Sequence, residues 1–196
     1  MKKKKITIYK HPKEVSGWKL DLGCGKHCKE GFLGVDKANV PGVNIVWDLK
    51  KVPWPWKDSS VDEINCSHFL EHLTGEERIP FMAELWRVLK PGAKAVIVVP
   101  DYRSVRAIQD PTHKFPPIGP QSFMYWNREW RDAQGNDIHY IEDGHPINFD
   151  FSWAESYDPV WGNRAQDARV FGANHYNNVV QDLIVTMVKK QETAAG

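Results

Sequence analysis

The pattern of apolar and polar positions divides the chain into strand-like and helix-like segments. Lys19-Leu20-Asp21-Leu22 runs into Gly23-Cys24-Gly25, and a second apolar run, Phe32 to Val35, ends in Asp36. Val43 to Trp47 reads as a third strand that leads to Asp48-Leu49. Val61 to Ser67 reads as a fourth, entered through the turn Lys57-Asp58-Ser59-Ser60. Between Glu76 and Leu89 the period becomes helical, with Ile79, Met82, Leu85, Trp86 and Leu89 on one stripe. Lys90-Pro91-Gly92 stops that helix, and Ala95 to Pro100 is a continuous apolar run of the kind buried on both faces of a sheet. Further on, Gln121 to Trp126 predicts a short helix and Asn148 to Trp153 a sixth strand. His175 to Val180 reads as the approach to a last strand, Asp182 to Lys189, where Leu183, Val185, Met187 and Lys189 alternate with the other face. Acids at strand ends, then a helix, then a buried strand predict a parallel α/β sheet.

The acids and glycines carry the first chemistry. Glycine has no Cβ and tolerates positive φ, so a ligand can approach the backbone closely at Gly23 and Gly25. In open α/β sheets ligands bind outside the carboxyl ends of strands, where these residues fall. A carboxylate ending the next strand, here Asp36, can accept from both hydroxyls of a ribose. The dinucleotide fingerprint does not fit: its third glycine position holds Cys28, and Asp36 lies 11 residues past Gly25 where the fingerprint wants about 20. Residues 24–31 are also too few for a crossover helix. The pattern points to a nucleoside-containing cofactor.

Composition narrows the class. The chain has 196 residues, 41% hydrophobic and 26% charged, which suits one globular domain over 1–196. No apolar run is long enough to cross a membrane. Lys2 to Lys5 is basic without a following apolar stretch, so no targeting signal is expected there. Net charge is +1, which argues against nucleic-acid binding by charge alone. Three cysteines, Cys24, Cys28 and Cys66, form no even disulfide framework, and a cytoplasmic location is the natural expectation. Cys24 reads as a small apolar spacer within the glycine loop. Cys24 and Cys28 lack the second pair that a structural zinc site needs. His68-Phe69-Leu70-Glu71-His72 matches H-x-x-E-H, an inverted zinc-protease signature. A third ligand would have to come from elsewhere, so no metal is expected. Leu70 and Leu73 should pack inward, with Glu71 and His72 making local contacts.

Taken together, Asp21-Leu22-Gly23-Cys24-Gly25, Gly34-Val35-Asp36, Trp47-Asp48-Leu49, Val61-Asp62-Glu63-Ile64, Glu71-His72-Leu73 and Glu84 to Gly92 resemble the successive motifs of class I S-adenosylmethionine-dependent methyltransferases. The resemblance covers about residues 16–100. It implies a Rossmann-like, mostly parallel seven-stranded sheet with an antiparallel last strand. It implies S-adenosylmethionine as cofactor and S-adenosylhomocysteine as product. Asp21 would lie near the methionine amino group, with backbone contact from Gly23, Cys24 and Gly25. Asp36 would hold the ribose, and Asp48 would accept from the adenine amine beside the Leu49 backbone. Ser67 and His68 would line the methionine side. The chain departs from the family in its short links after the first three strands, so the helices are pared down. Pro53-Trp54-Pro55-Trp56 replaces one of them and cannot be helical. Its tryptophans either roof the adenine pocket or cover the sheet.

Residues 101–180 read as an acceptor or lid region, and 181–190 as the closing strand. From Asp101 to Phe171 the chain is rich in Trp, Tyr, His and Pro, including Trp126, Trp130, Trp153, Trp161, Tyr102, Tyr125, Tyr140 and Tyr157. A long aromatic insertion after strand five suits a binding loop or a small satellite core. A hydroxyl acceptor needs a base, and histidine suits that role. His113, within Asp110-Pro111-Thr112-His113, leads, followed by His68 and His175. The expected function is methyl transfer to a small-molecule or glycan-like acceptor. The alternatives are a nucleic-acid or nucleotide methyltransferase, or a non-catalytic cofactor-binding module. Ser67-His68-Phe69-Leu70 lacks the residues of DNA base-amine methylation.

Overall fold

The computed structural model describes residues 17–134 and 147–191. Tyr140, the Lys2–Lys5 run and the last five residues lie outside them. Seven strands form one sheet: β1 (Trp18–Leu22), β2 (Leu33–Asp36), β3 (Val43–Val46), β4 (Val61–Ser67), β5 (Leu89–Pro100), β6 (Phe149–Tyr157) and β7 (Val180–Lys189). Their order is β3-β2-β1-β4-β5-β7-β6. The first five are parallel, and β7 runs antiparallel to both β5 and β6. The central strands read as apolar runs because both faces are covered: Leu20, Leu22, Ile64, Cys66, Ala95, Ile97 and Val99 are all buried completely.

Among the described residues no helix lies between β1 and β4, as the short links required. The main helix, α1 (Gly75–Val88), begins at a capping box. Thr74 Oγ1 accepts from Glu77 N at 3.2 Å, and Glu77 Oε2 accepts from Thr74 N at 2.9 Å. Its buried stripe is Phe81, Met82, Leu85 and Val88, not the predicted Ile79 and Trp86, which are only partly buried. The stripe turns because two charged residues, Arg78 and Glu84, are also drawn inward, each with hydrogen-bonding partners. Trp54 and Trp56 are buried in the core, with Trp54 edge-on to Phe81 at 5.2 Å. They cover the sheet and do not project from it.

Glu84 fixes this segment. Its carboxylate accepts from Trp54 N at 2.5 Å and from Arg87 Nε and Nη2 at 2.7 Å each. Arg87 in turn donates to the carbonyls of Trp56 and Trp54 at 2.8 and 3.1 Å.

The region after β5 is less irregular than its composition suggests. It holds α2 (Val105–Gln109), α3 (Gln121–Met124), α4 (Arg128–Gln134), α5 (Pro159–Gly162) and α6 (Gln166–His175). His175 closes α6, correcting its reading as an extended approach to β7. Trp161 and Tyr157 pack on Ala173, Val179 and Val180 in a small second cluster, while Trp126 joins the main core. No helix among the described residues is long and apolar enough to cross a membrane.

Candidate active site

The loop after β1 turns sharply. Gly23 and Gly25 have φ of +69° and +54°. Gly23 N donates to Val35 O at 2.8 Å, which places the loop over the end of β2. A Cβ at Gly23 would collide with the Phe69 ring, whereas nothing lies within 4 Å of the same position at Gly25. Gly25 therefore presents bare backbone to open space. Two expectations follow. Gly23→Ala loses stability, through left-handed strain of roughly 1–2 kcal/mol and displacement of Phe69. Gly25→Ala keeps more of its stability and loses ligand affinity. Thermal melts and ligand titrations on the two variants separate these effects.

The structure gathers Asp21, Gly23, Cys24, Gly25 and Asp36 at the carboxyl ends of β1 and β2. Asp36 accepts from Gly25 N at 3.0 Å through Oδ2 and from Ala38 N at 2.8 Å through Oδ1. Asp21 is buried, accepting from Lys29 N and from Asn65 Nδ2, both at 2.7 Å. Register explains the second bond, since Asp21 pairs with Asn65 across β1 and β4. Sequence reasoning missed both Lys29 and Asn65. It also misread Cys24, which is joined to Cys28 by a disulfide with a Cα–Cα separation of 4.8 Å. The turn that brings His27 N to 3.0 Å from Cys24 O makes that approach possible. Gly34 leaves room for it, because a Cβ there would meet both sulfurs.

Asp48 sits just past β3, held beside Asp36 by Trp47 N donating to Asp36 O at 3.0 Å. Its Oδ1 accepts from Lys50 N at 3.2 Å in a local turn. Leu49 is buried, and its carbonyl accepts from Trp54 Nε1 at 3.0 Å.

Ser67 ends β4. His68 follows at φ +52°, with its amide donating to Val98 O at 2.8 Å. Beyond it a 3₁₀ turn, Leu70–His72, buries Leu70 and, nearby, Leu73 as expected. Beside this turn, outside the ends of β4 and β5, lies a cleft of about 410 Å³. Its walls include His68, Glu71, Arg106, Asp110 and His113. Phe69, next in the chain to the cleft residue His68, sets its ring over Gly23. Glu71 Oε1 lies 3.2 Å from His68 Nδ1, and this contact raises the His68 pKa above the usual imidazole range against the opposing effect of burial. Thr112 holds Asp110 below the usual carboxylate range by hydrogen bonds from its hydroxyl and amide. Thus His68 and His113 share one cleft. His175 does not; its Nδ1 lies 2.8 Å from Phe171 O. Trp126, Trp130, Trp153 and Trp161 also lie away from the cleft walls. Glu71, Arg106 and Asp110 were not singled out from sequence, although the H-x-x-E-H pattern marked Glu71.

Comparison with known proteins bears on the fold. Residues 27–97 match the model of a methyltransferase domain. A search of curated proteins gives no match. A SAM-dependent methyltransferase from Archaeoglobus fulgidus is similar in structure, with a TM-score of 0.58 at 21% identity, covering 87% of this chain and 85% of the other. A second, from Methanosarcina mazei, has a TM-score of 0.52 at 18% identity, covering 89% and 92%. Phosphoethanolamine N-methyltransferase 2 of Haemonchus contortus, in complex with phosphomonomethylethanolamine and S-adenosylhomocysteine, has a TM-score of 0.52 at 13% identity, covering 92% and 50%.

Proposed function

We infer that this chain is a class I S-adenosylmethionine-dependent methyltransferase and that its acceptor is a small polar molecule, glycan-like ones included, bound in the cleft outside β4 and β5. The observation that carries this reading is the placement of two features at the carboxyl ends of the parallel strands. A glycine loop and ribose-type acid sit at the ends of β1 and β2. A polar cleft lies at the ends of β4 and β5 and has the size of a small-ligand site.

The residues fit the cofactor. Gly25 leaves its backbone open, and Asp36 stands beside it with lone pairs to spare. Asp36 holds the ribose hydroxyls, Asp48 and the Leu49 backbone the adenine edge, and Asp21 with Gly23 and Cys24 the methionine end. Ser67 and His68 line the side toward the acceptor. S-adenosylmethionine, when bound, supplies a methyl carbon on a sulfonium. The chain's task is to hold the acceptor atom in line with that carbon. If the acceptor is a hydroxyl, the candidate bases are His68 and His113. His68 fits better, because Glu71 orients its ring while the side chain stays 41% exposed toward the cleft.

Calorimetric titration with S-adenosylhomocysteine tests the cofactor, with micromolar-range binding expected. Transfer of a labelled methyl group to pools of hydroxylated small molecules, sugars or RNA then sorts acceptors. A folded chain that ignores S-adenosylhomocysteine would overturn the reading. Transfer to RNA alone, with binding that collapses as salt rises, would replace the small-molecule acceptor with a nucleic acid.

A further inference from the structure

We propose that Glu71, His72 and His113 form a binding site for a divalent transition-metal ion of the zinc class, set in the wall of the acceptor cleft. The ion site stands on these side chains alone; only its role toward the acceptor rests on the methyltransferase reading.

One ligand atom from each residue lies within 4.8 Å of the other two. Ligands sharing a zinc ion at about 2.1 Å sit roughly 3.4 Å apart, so a side-chain shift of about 1 Å would close the set. Two of the three residues carry buried polar atoms that have no hydrogen-bond partner: Glu71 Oε2 and His113 Nδ1. Glu71 is only 5% exposed, and the His113 side chain 10%. Buried polar atoms are almost always satisfied, so two orphans on residues of one cluster call for an occupant.

The remaining polar atom of each residue is already oriented. Glu71 Oε1 is 3.2 Å from His68 Nδ1. His72 Nδ1 is 3.3 Å from Thr112 O. His113 Nε2 is 3.6 Å from Asp110 Oδ2. Metal-ligating histidines direct the far nitrogen to a carbonyl or carboxylate and leave the near one for the ion; His72 makes that bond, and His113 faces Asp110 at ion-pair distance. With those atoms engaged, the ligand atoms assigned to the ion are Glu71 Oε2, His72 Nε2 and His113 Nδ1.

The backbone that presents them is stitched together. Lys114 N donates to Glu71 O at 2.8 Å. Arg78, buried on α1, donates to Leu70 O, Pro116 O and Lys114 O at 3.3, 2.7 and 3.2 Å. It thereby clamps the 3₁₀ turn to the 112–116 segment. Here the sequence pattern misleads by one residue. H-x-x-E-H suggests His68 and His72 as a ligand pair on a helix, but the turn is 3₁₀ and His68 instead supports Glu71.

Two imidazoles and one carboxylate suit zinc or a similar borderline ion and not magnesium or calcium, which prefer oxygen donors. Three protein ligands leave a coordination position for an outside oxygen. An acceptor hydroxyl bound there would lose its proton more readily, the bond to the ion replacing the bond to hydrogen as His68 takes the proton.

The test is direct zinc binding to the full chain, by competition with a chromophoric chelator, and cobalt substitution read by visible absorption. The wild type should bind one equivalent with a nitrogen–oxygen type cobalt spectrum. Binding should weaken about 100-fold or more in His113→Ala and in Glu71→Gln. Zinc should raise the melting temperature of the wild type and not of the variants. His72→Gln serves if either variant fails to fold. Cys24→Ser/Cys28→Ser should leave the zinc affinity unchanged; loss of binding there, with a sulfur–cobalt charge-transfer band in the wild type, would overturn the proposal. So would zinc affinity that survives all three ligand variants. S-adenosylhomocysteine titrated on the same samples separates the two readings: zinc binding without it sinks the cofactor assignment alone, and the reverse sinks the metal site alone.

Discussion

Asp36→Ala is expected to weaken S-adenosylhomocysteine binding by about 100-fold or more. Hydrogen bonds to a charged acceptor contribute about 1.5–3 kcal/mol each, and a ribose offers two hydroxyls to this carboxylate. Two such bonds at the low end are about 3 kcal/mol, or roughly two decades in affinity. The substitution also frees Gly25 N and Ala38 N, which the carboxylate holds at 3.0 and 2.8 Å in the protein. Both effects act in the same direction, because the glycine loop loses its tie to β2. Asp36→Asn separates them: it retains one acceptor oxygen and nearly the same shape, so an intermediate affinity is expected. Calorimetry on the three proteins, with melting curves to establish folding, gives the comparison. An unchanged dissociation constant in a folded Asp36→Ala protein would mean that the ribose is held elsewhere.

Glu84→Ala should cost about 3–5 kcal/mol of stability, lowering the melting temperature by about 10 °C. Its carboxylate is buried and accepts three bonds, from Trp54 N, Arg87 Nε and Arg87 Nη2. Removing it strands the Trp54 amide and the Arg87 Nε, and takes away the larger of the two carboxylate contacts that hold Arg87 above its usual arginine pKa. The Pro53–Trp56 segment has no helix of its own, so these side-chain bonds substitute for regular structure. Arg87→Ala should show a similar loss, since it frees the carbonyls of Trp54 and Trp56. The double variant should lose much less than the sum, because the two residues act as one unit. Chemical denaturation of the four proteins reads the coupling. Additive losses would mean that the residues stabilise the segment independently.

These two sites differ in how plainly the sequence announces them. Gly23, Gly25 and Asp36 are visible because each requirement is local: a turn, a bare backbone and an acid at a strand end. β4 is predicted at Val61–Ser67 and observed there, since its apolar run is bounded by turns on both sides. Glu84 and Arg78 were invisible, because a buried charge is revealed only by the backbone groups brought to it, here from 30 and 38 residues away. That also misplaced the buried stripe of α1, where Ile79 and Trp86 look more apolar than the residues that replace them. The meeting of Glu71 with His113 depends on where the chain returns after α2, which no spacing encodes. The Cys24–Cys28 bond was within reach of spacing, but odd cysteine counts obscure a local pair.

The posture of Asp36 has a consequence for selectivity. Two backbone amides, from Gly25 and Ala38, grip its two oxygens, so the side chain cannot swing aside to admit a bulkier sugar. An anionic group fixed at that point repels another anion. If Asp36 holds the ribose as proposed, a ribose phosphorylated at its 2′ or 3′ oxygen would be refused, whereas one with both hydroxyls free would be admitted. On that reading, nucleotides phosphorylated at the 2′ or 3′ oxygen would be kept out by charge, before any contact with the adenine ring or the methyl-bearing end is made.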